Sequence, residues 1–138
     1  MTIPAPRVVL DTNILISALI FRGPSNTLVR HWQEGKIRLL VSKDVLLEYL
    51  RALSYPKFKL SKAEVLSLIK ENVLPFAETV EVKISVSVVR EDPEDDKFLA
   101  LAVDGKADAI VSGDKHLLDL GNFRGIPILR AHKFLEHG

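Results

Sequence analysis

Apolar and polar positions along this chain change period several times, and each change marks an element. "RVVL" at residues 7–10 is a continuous apolar run closed by Asp11, which predicts a short strand covered on both faces. Helical spacing follows through "NILISALI" and ends near "FRGP", where Gly23 and Pro24 break it. "PSNTLVRHWQEG" predicts a second helix, opened near Pro24 and Ser25 and closed by Gly35. "IRLLV" is the next strand, after which Ser42 offers an N-cap to a helix through "KDVLLEYLRAL". "SYPKFKLS" reads as a loop, and "SKAEVLSLIKENVL" as a helix ended by Pro75.

In "TVEVKISVSV" the residues Val80, Val82, Ile84, Val86 and Val88 alternate with Thr79, Glu81, Lys83, Ser85 and Ser87. That period of two predicts an edge strand with one apolar face. "EDPEDDKFLALAVDG" opens another helix, "DAIVS" is a strand, and "DKHLLDL" is a short helix. "IPILR" is a last strand and "HKFLEH" a terminal helical turn. Strands alternating with helices predict an α/β sandwich around a mostly parallel sheet of about five strands. Residues 1–138 read as a single domain, with no repeat, low-complexity tract or linker.

Composition adds exclusions. With 47% hydrophobic and 27% charged residues the chain has a soluble globular profile. No apolar stretch approaches the ~20 residues that span a bilayer, and "MTIPAPR" lacks the pattern of a signal peptide. A cytoplasmic location without membrane contact is the expectation. The absence of cysteine excludes disulfides and thiolate metal sites. Net charge is only +1, yet residues 1–62 carry ten Lys and Arg against four Asp and Glu, and the remainder carries nine against fourteen. The split suits an anionic partner near one surface and an acidic site elsewhere, or simply a solvated surface.

The acids carry the chemistry. Asp11 and Asp114 each follow a predicted strand and precede a predicted helix, so each reads as a helix cap. Ligands of open α/β sheets bind beyond the carboxyl ends of the strands, so the same two positions also read as one shared rim. Glu48 flanks an apolar helical face of Val45, Leu46, Tyr49, Leu50 and Leu53. Its local pattern is that of a surface acid paired with Arg51. "EDPEDD" holds five acids in six residues, with Asp92 placed as an N-cap and Pro93 at the first helical position. Asp95 is positioned for a capping-box-like bond back to Asp92. Helical phase also puts Asp95 at the centre of the inward stripe of Phe98, Leu99 and Ala102, with Asp96 turned about 100° away.

Four such carboxylates do not share a small volume unaided. Two unit charges ~4 Å apart repel by about 4 kcal/mol at an effective dielectric near 20. The acids are therefore far apart, partly protonated, or gathered around a cation. An all-oxygen cluster favours Mg²⁺ or Mn²⁺ over zinc.

"VVLDTN", "VSKDVLLE", "DPEDDKFLALA" and "DAIVSGDKHLL" together resemble the PIN domain family of nucleases, over the stretch from Arg7 to Arg130. The likeness is greatest to PIN proteins that are toxin components of prokaryotic toxin–antitoxin pairs. It implies a three-layer α/β/α sandwich with acids gathered at the strand ends. It carries the four family acids onto Asp11, Glu48, Asp95 and Asp114, with Asn13 and Ser112 as supporting polar positions. It further implies Mg²⁺- or Mn²⁺-dependent endoribonuclease activity, an antitoxin partner and a homodimer. RNA affinity must then come from cations outside the acidic pocket, for which Arg22, Arg51, Lys57, Lys59, Lys62 and Lys115 are the candidates. Trp32 and Phe58 suit core packing or a subunit contact better than base stacking. His31, His116, His132 and His137 lack paired metal-ligand spacing and read as surface residues. Two other readings use the same acids: a non-catalytic PIN-like module binding RNA or protein, and a phosphotransfer domain built on Asp11. The phosphatase form of the latter expects a second acid where Asn13 stands.

Overall fold

Val8, Val9 and Leu10 are fully buried in the first strand, β1 (Arg7–Leu10), as a strand covered on both faces requires. The computed structural model describes residues 4–21, 23, 25–85 and 95–137. After β1 come α1 (Thr12–Ile20), α2 (Asn26–Gln33), β2 (Arg38–Val41), α3 (Lys43–Leu53) and α4 (Lys62–Asn72). The second half runs β3 (Ala77–Thr79), α5 (Asp96–Asp104), β4 (Ala109–Val111), α6 (Lys115–Leu120), β5 (Asn122–Phe123), β6 (Ile126–Leu129) and α7 (Ala131–His137). Short 3₁₀ turns at Pro56–Phe58 and Leu74–Phe76 follow α3 and α4. Side-chain caps start several helices: Ser42 accepts from Val45 N at 3.2 Å, and Ser61 and Glu64 close a full capping box at α4.

The sheet has the order β3-β2-β1-β4-β6-β5, all parallel except β5, which runs antiparallel to β6. From β1 the chain steps outward to β2 and β3, then crosses back to β4 on the other side of β1. Right-handed crossovers in opposite directions put their helices on opposite faces, which makes the α/β/α sandwich. The reversal leaves a crevice between the ends of β1 and β4, the place where such sheets bind ligands.

The mostly parallel sheet expected from the sequence is present, with six strands among the described residues, the last of them β5, which pairs with β6 across a two-residue turn. Arg124 (φ 51°) and Gly125 (φ 86°) both take left-handed backbone, the conformation of a type I′ hairpin turn. One expectation about strands is corrected: the edge strand lies at Ala77–Thr79 and, among the described residues, does not run on through Val80, Val82 and Ile84. Alternation does survive in burial, since Val80, Val82 and Ile84 are half-buried while Glu81, Lys83 and Ser85 are exposed. The ladder ends because the backbone finds another acceptor: Lys83 N and Ile84 N donate to the Asp104 carboxylate at 2.5 and 2.9 Å. These bonds hold the Asp104 carboxyl below its ordinary range. Val86, Val88, Asp92 and Pro93 lie outside the described residues, so the proposed Asp92 cap does too.

At the end of the sheet away from the crevice, Arg7 ties three segments together. Its Nη1 and Nη2 donate to Glu78 at 2.9 and 2.7 Å, its Nε to the Gly105 carbonyl at 2.9 Å, and its backbone N to Asp108 at 2.8 Å. Gly105 ends α5 where it packs on β2. A Cβ there would stand 2.8 Å from Leu40 Cδ1 and 2.9 Å from the Leu101 carbonyl oxygen. Gly105→Ala is therefore expected to cost about 1–3 kcal/mol by overpacking. Urea unfolding should show a lower midpoint with an unchanged slope.

Candidate functional site

The site begins with sheet register. Leu10 pairs with Val111 across β1 and β4, so the next residues, Asp11 and Ser112, stand side by side at the crevice. Asp11 N donates to Val111 O at 3.1 Å, which continues the ladder one step past the strand. Asp11 is only 3% exposed. It accepts from the Ser112 hydroxyl, from Gly113 N at 3.3 Å, and from Ile14 N at 2.9 Å, the last capping α1. Burial pushes its pKa up, these bonds pull it down, and the neighbouring Asp114 charge raises it further; the balance is upward.

Asp114 caps α6 through His116 N at 2.8 Å and Leu117 N at 3.3 Å. Its own N–H donates to Ser112 Oγ at 2.9 Å. Ser112 is fully buried and therefore links the two acids, donating to one and accepting from the backbone of the other. The capping roles expected of Asp11 and Asp114 are both present, and both residues also line one pocket.

That pocket has a volume of about 250 Å³. Its walls include Asp11, Thr12 and Asn13 after β1, Glu48 and Arg51 of α3, Asp95 before α5, and Asp114 after β4. Tyr55, Lys57 and Phe58 complete the rim. Glu48 is nearly buried, with its side chain 10% exposed, and it accepts from Arg51 Nη2 at 2.7 and 2.9 Å. Lys97 Nζ of α5 reaches the same carboxylate at 3.3 Å. The Arg51 pairing read from the sequence is thus real, but the pair belongs to a pocket wall and not to open surface. Asp95 is buried and its Oδ2 is sealed from solvent. Asp96 instead lines a separate hollow with Ser42, Asp44 and Ser85.

Four acids share the pocket, yet among the described residues no three side chains of metal-binding type stand close enough for a ready-made ion cage. The hydrogen bonds explain this. Asp11 is turned to Ser112 and the α1 N-terminus, Asp114 to the α6 N-terminus, and Glu48 to two cations. Rotation of these side chains is needed to close a cage. The donor set is all oxygen, which suits a hard divalent ion.

The remaining predicted residues divide clearly. Asn13 is exposed on the pocket wall; Arg51 and Lys57 line it. Lys59, Lys62 and Lys115 are exposed but do not line it, and Arg22 lies outside the described residues. His116 and His132 are exposed, whereas His31 is half-buried and departs from the surface reading; the side chain of His137 lies outside the described set. Trp32 is core, as expected, with Nε1 donating to Asn72 O at 2.7 Å. Two contributors were not singled out from the sequence. Tyr49 is fully buried beneath the pocket, its hydroxyl donating to Leu10 O at 2.6 Å and its ring stacked on Phe98 at 6.5 Å. Lys97 is the other; its partner is 49 residues away, beyond any local pattern. Tyr49 had a usable signal, because a buried tyrosine needs a partner for its hydroxyl.

Residues 7–116 match the PIN domain, and the chain belongs to the PIN domain family, whose members are generally nucleases. A chain in the crystal structure of VapBC2 from Rickettsia felis, bound to a DNA fragment from their promoter, has the same fold with a TM-score of 0.58. The two sequences are 14% identical, and the match covers 88% of this chain and 96% of that one. No curated protein matches the sequence. Among the described residues, no helix is long and apolar enough to cross a membrane.

Proposed function

We propose that this chain is a divalent-metal-dependent endoribonuclease, the toxin of a toxin–antitoxin pair. The observation that supports this reading most is convergence. Asp11, Glu48, Asp95 and Asp114 come from four separate segments and line one pocket at the reversal of strand order. Arg51 and Lys97 already face Glu48, whereas Asp11 has the like charge of Asp114 as a neighbour, which a divalent ion in the pocket would offset. Asp11, Asp95 and Asp114 would hold Mg²⁺ or Mn²⁺ directly or through water; Glu48 would bind a second ion or orient the attacking water. Bound metal supplies an activated water and stabilises charge on the phosphoryl oxygens. Ser112 holds Asp11 in place, Asn13 supports the pocket wall, and Arg51 and Lys57 offer positive charge to the phosphate. Lys59, Lys62, Lys115 and Arg22 would extend that attraction along the RNA. Residues 1–138 act as a single domain in this reading, as a cytoplasmic homodimer restrained by an antitoxin.

The experiment is cleavage of end-labelled RNA with Mg²⁺, Mn²⁺ or EDTA. Cleavage should need metal and leave no 2′,3′-cyclic phosphate, because water and not the ribose hydroxyl attacks. Activity that persists in EDTA, or is absent with both metals, overturns the proposal.

A further inference from the structure

A second hollow of about 380 Å³ opens beside the acid pocket, between the outer stripe of α1 and the 3₁₀ turn after α3. Its apolar walls are Ile16, Ile20, Phe21 and Phe58. Asn13, Ile16, Lys57 and Phe58 line both hollows, so the two form one depression with an acidic end and an apolar end. Phe21 is 51% exposed, an unusual degree for a large aromatic ring, and stands 6.1 Å from Phe58 at a 58° tilt. Lys57 Nζ lies 5.2 Å from the centre of the Phe58 ring, at the border between the two ends.

Phe58, read from the sequence as a packing residue, is half-buried against the core yet lines both hollows. We infer that Phe21 and Phe58 form a nucleobase-stacking subsite for the nucleotide flanking the cleaved phosphodiester, with Lys57 placed for the phosphate between them. This rests on the nuclease reading above. A polymer with one phosphate at the acids must lay its next nucleoside on an adjoining surface, and this apolar end adjoins them. Aromatic faces stack any base, so such a subsite supplies affinity without strict sequence choice. The acid end repels a polyanion, which leaves binding to neutral rings and to cations such as Lys57.

The test pairs protein and RNA changes. Single-stranded hexaribonucleotides with one abasic position, moved along the strand, are bound to the wild type and to Phe21→Ala, with Ca²⁺ present. The abasic site next to the cut should weaken wild-type binding by about tenfold, and Phe21→Ala should weaken intact RNA by a similar factor. Combined, the two changes should cost little more than either alone. A 2-aminopurine at the same position should be quenched by the wild type and bright with Phe21→Ala. Phe21 is largely exposed, so its truncation should spare the fold; a thermal melt checks this, and Lys57→Ala gives a second variant. Additive losses, unchanged RNA binding by Phe21→Ala, or no RNA binding by the wild type would each overturn the subsite. Loss of a protein partner with RNA binding intact would also overturn it. Metal-dependent cleavage with no abasic effect removes the subsite alone, whereas stacking without cleavage removes the nuclease reading alone.

Discussion

Asp11→Asn is expected to cut RNA cleavage by orders of magnitude while making the metal-free protein more stable at neutral pH. Both effects come from one carboxylate, buried to 3% exposure and shifted upward in pKa chiefly by that burial. In strong acid the group is protonated whether the chain is folded or not, and it costs nothing. As pH rises through the ordinary aspartate range, the unfolded chain releases its proton first, so the folded state loses relative stability. The loss is complete once pH exceeds the folded-state pKa. Asparagine keeps an oxygen for Ile14 N and removes the charge, but turns an amide NH₂ toward the Gly113 N–H and Ser112 hydroxyl donors. The melting temperature of the variant relative to the wild type should therefore rise as pH climbs through the ordinary carboxylate range. The variant should be higher at neutral pH by about 0.5–2 kcal/mol of stability. Cleavage should fall roughly a thousandfold, about 4 kcal/mol of transition-state stabilisation. Mn²⁺ at ~100 times its Kd should add about 2.7 kcal/mol to the wild type and far less to the variant. Coincident melting curves at neutral pH would refute the buried-charge argument, and surviving activity the catalytic one.

The second large effect separates two adjacent acids. Asp95→Asn should lower kcat/KM by roughly a hundredfold or more, whereas Asp96→Asn should change it less than about threefold. Asp95 is on the wall of the acid pocket, and Asp96 opens on the hollow beside Ser42 and Asp44. The same atoms are exchanged in both variants, so a difference reports placement. Comparable losses from both would mean that the "EDD" run acts as a diffuse field.

The two acids also mark how far sequence reasoning reached. Helical phase alone turned Asp95 inward, because Phe98, Leu99 and Ala102 fix the buried stripe of α5. Strand-end position placed Asp11 and Asp114 on one rim, and the adjacency of β1 and β4 gives that rim its geometry. Glu48 was different. Its spacing spoke for an ordinary pair with Arg51, and only family likeness lifted it. What makes it part of the pocket is the packing of α3 beside α5, which local periodicity does not encode. The valine alternation misled for a related reason. A period of two reports which face is apolar, but a ladder also needs a neighbour; Val80 N still reaches Val41 O at 2.8 Å, and Lys83 and Ile84 then turn to Asp104 instead. The β5 hairpin went unread because Arg124, a poor residue for left-handed backbone, fills a turn usually marked by Asn or Gly.

The bond from Ser112 to Asp11 joins residues 101 positions apart, and the fourth acid comes later still, at Asp114. A ribosome making this chain therefore carries three of the four acids for some time before the last emerges. On the nuclease reading proposed above, the growing polypeptide would gain activity only once β4 has slotted in beside β1. Truncated products ending before residue 109 lack both the strand and the final acid, so on that reading abortive synthesis would yield no active enzyme.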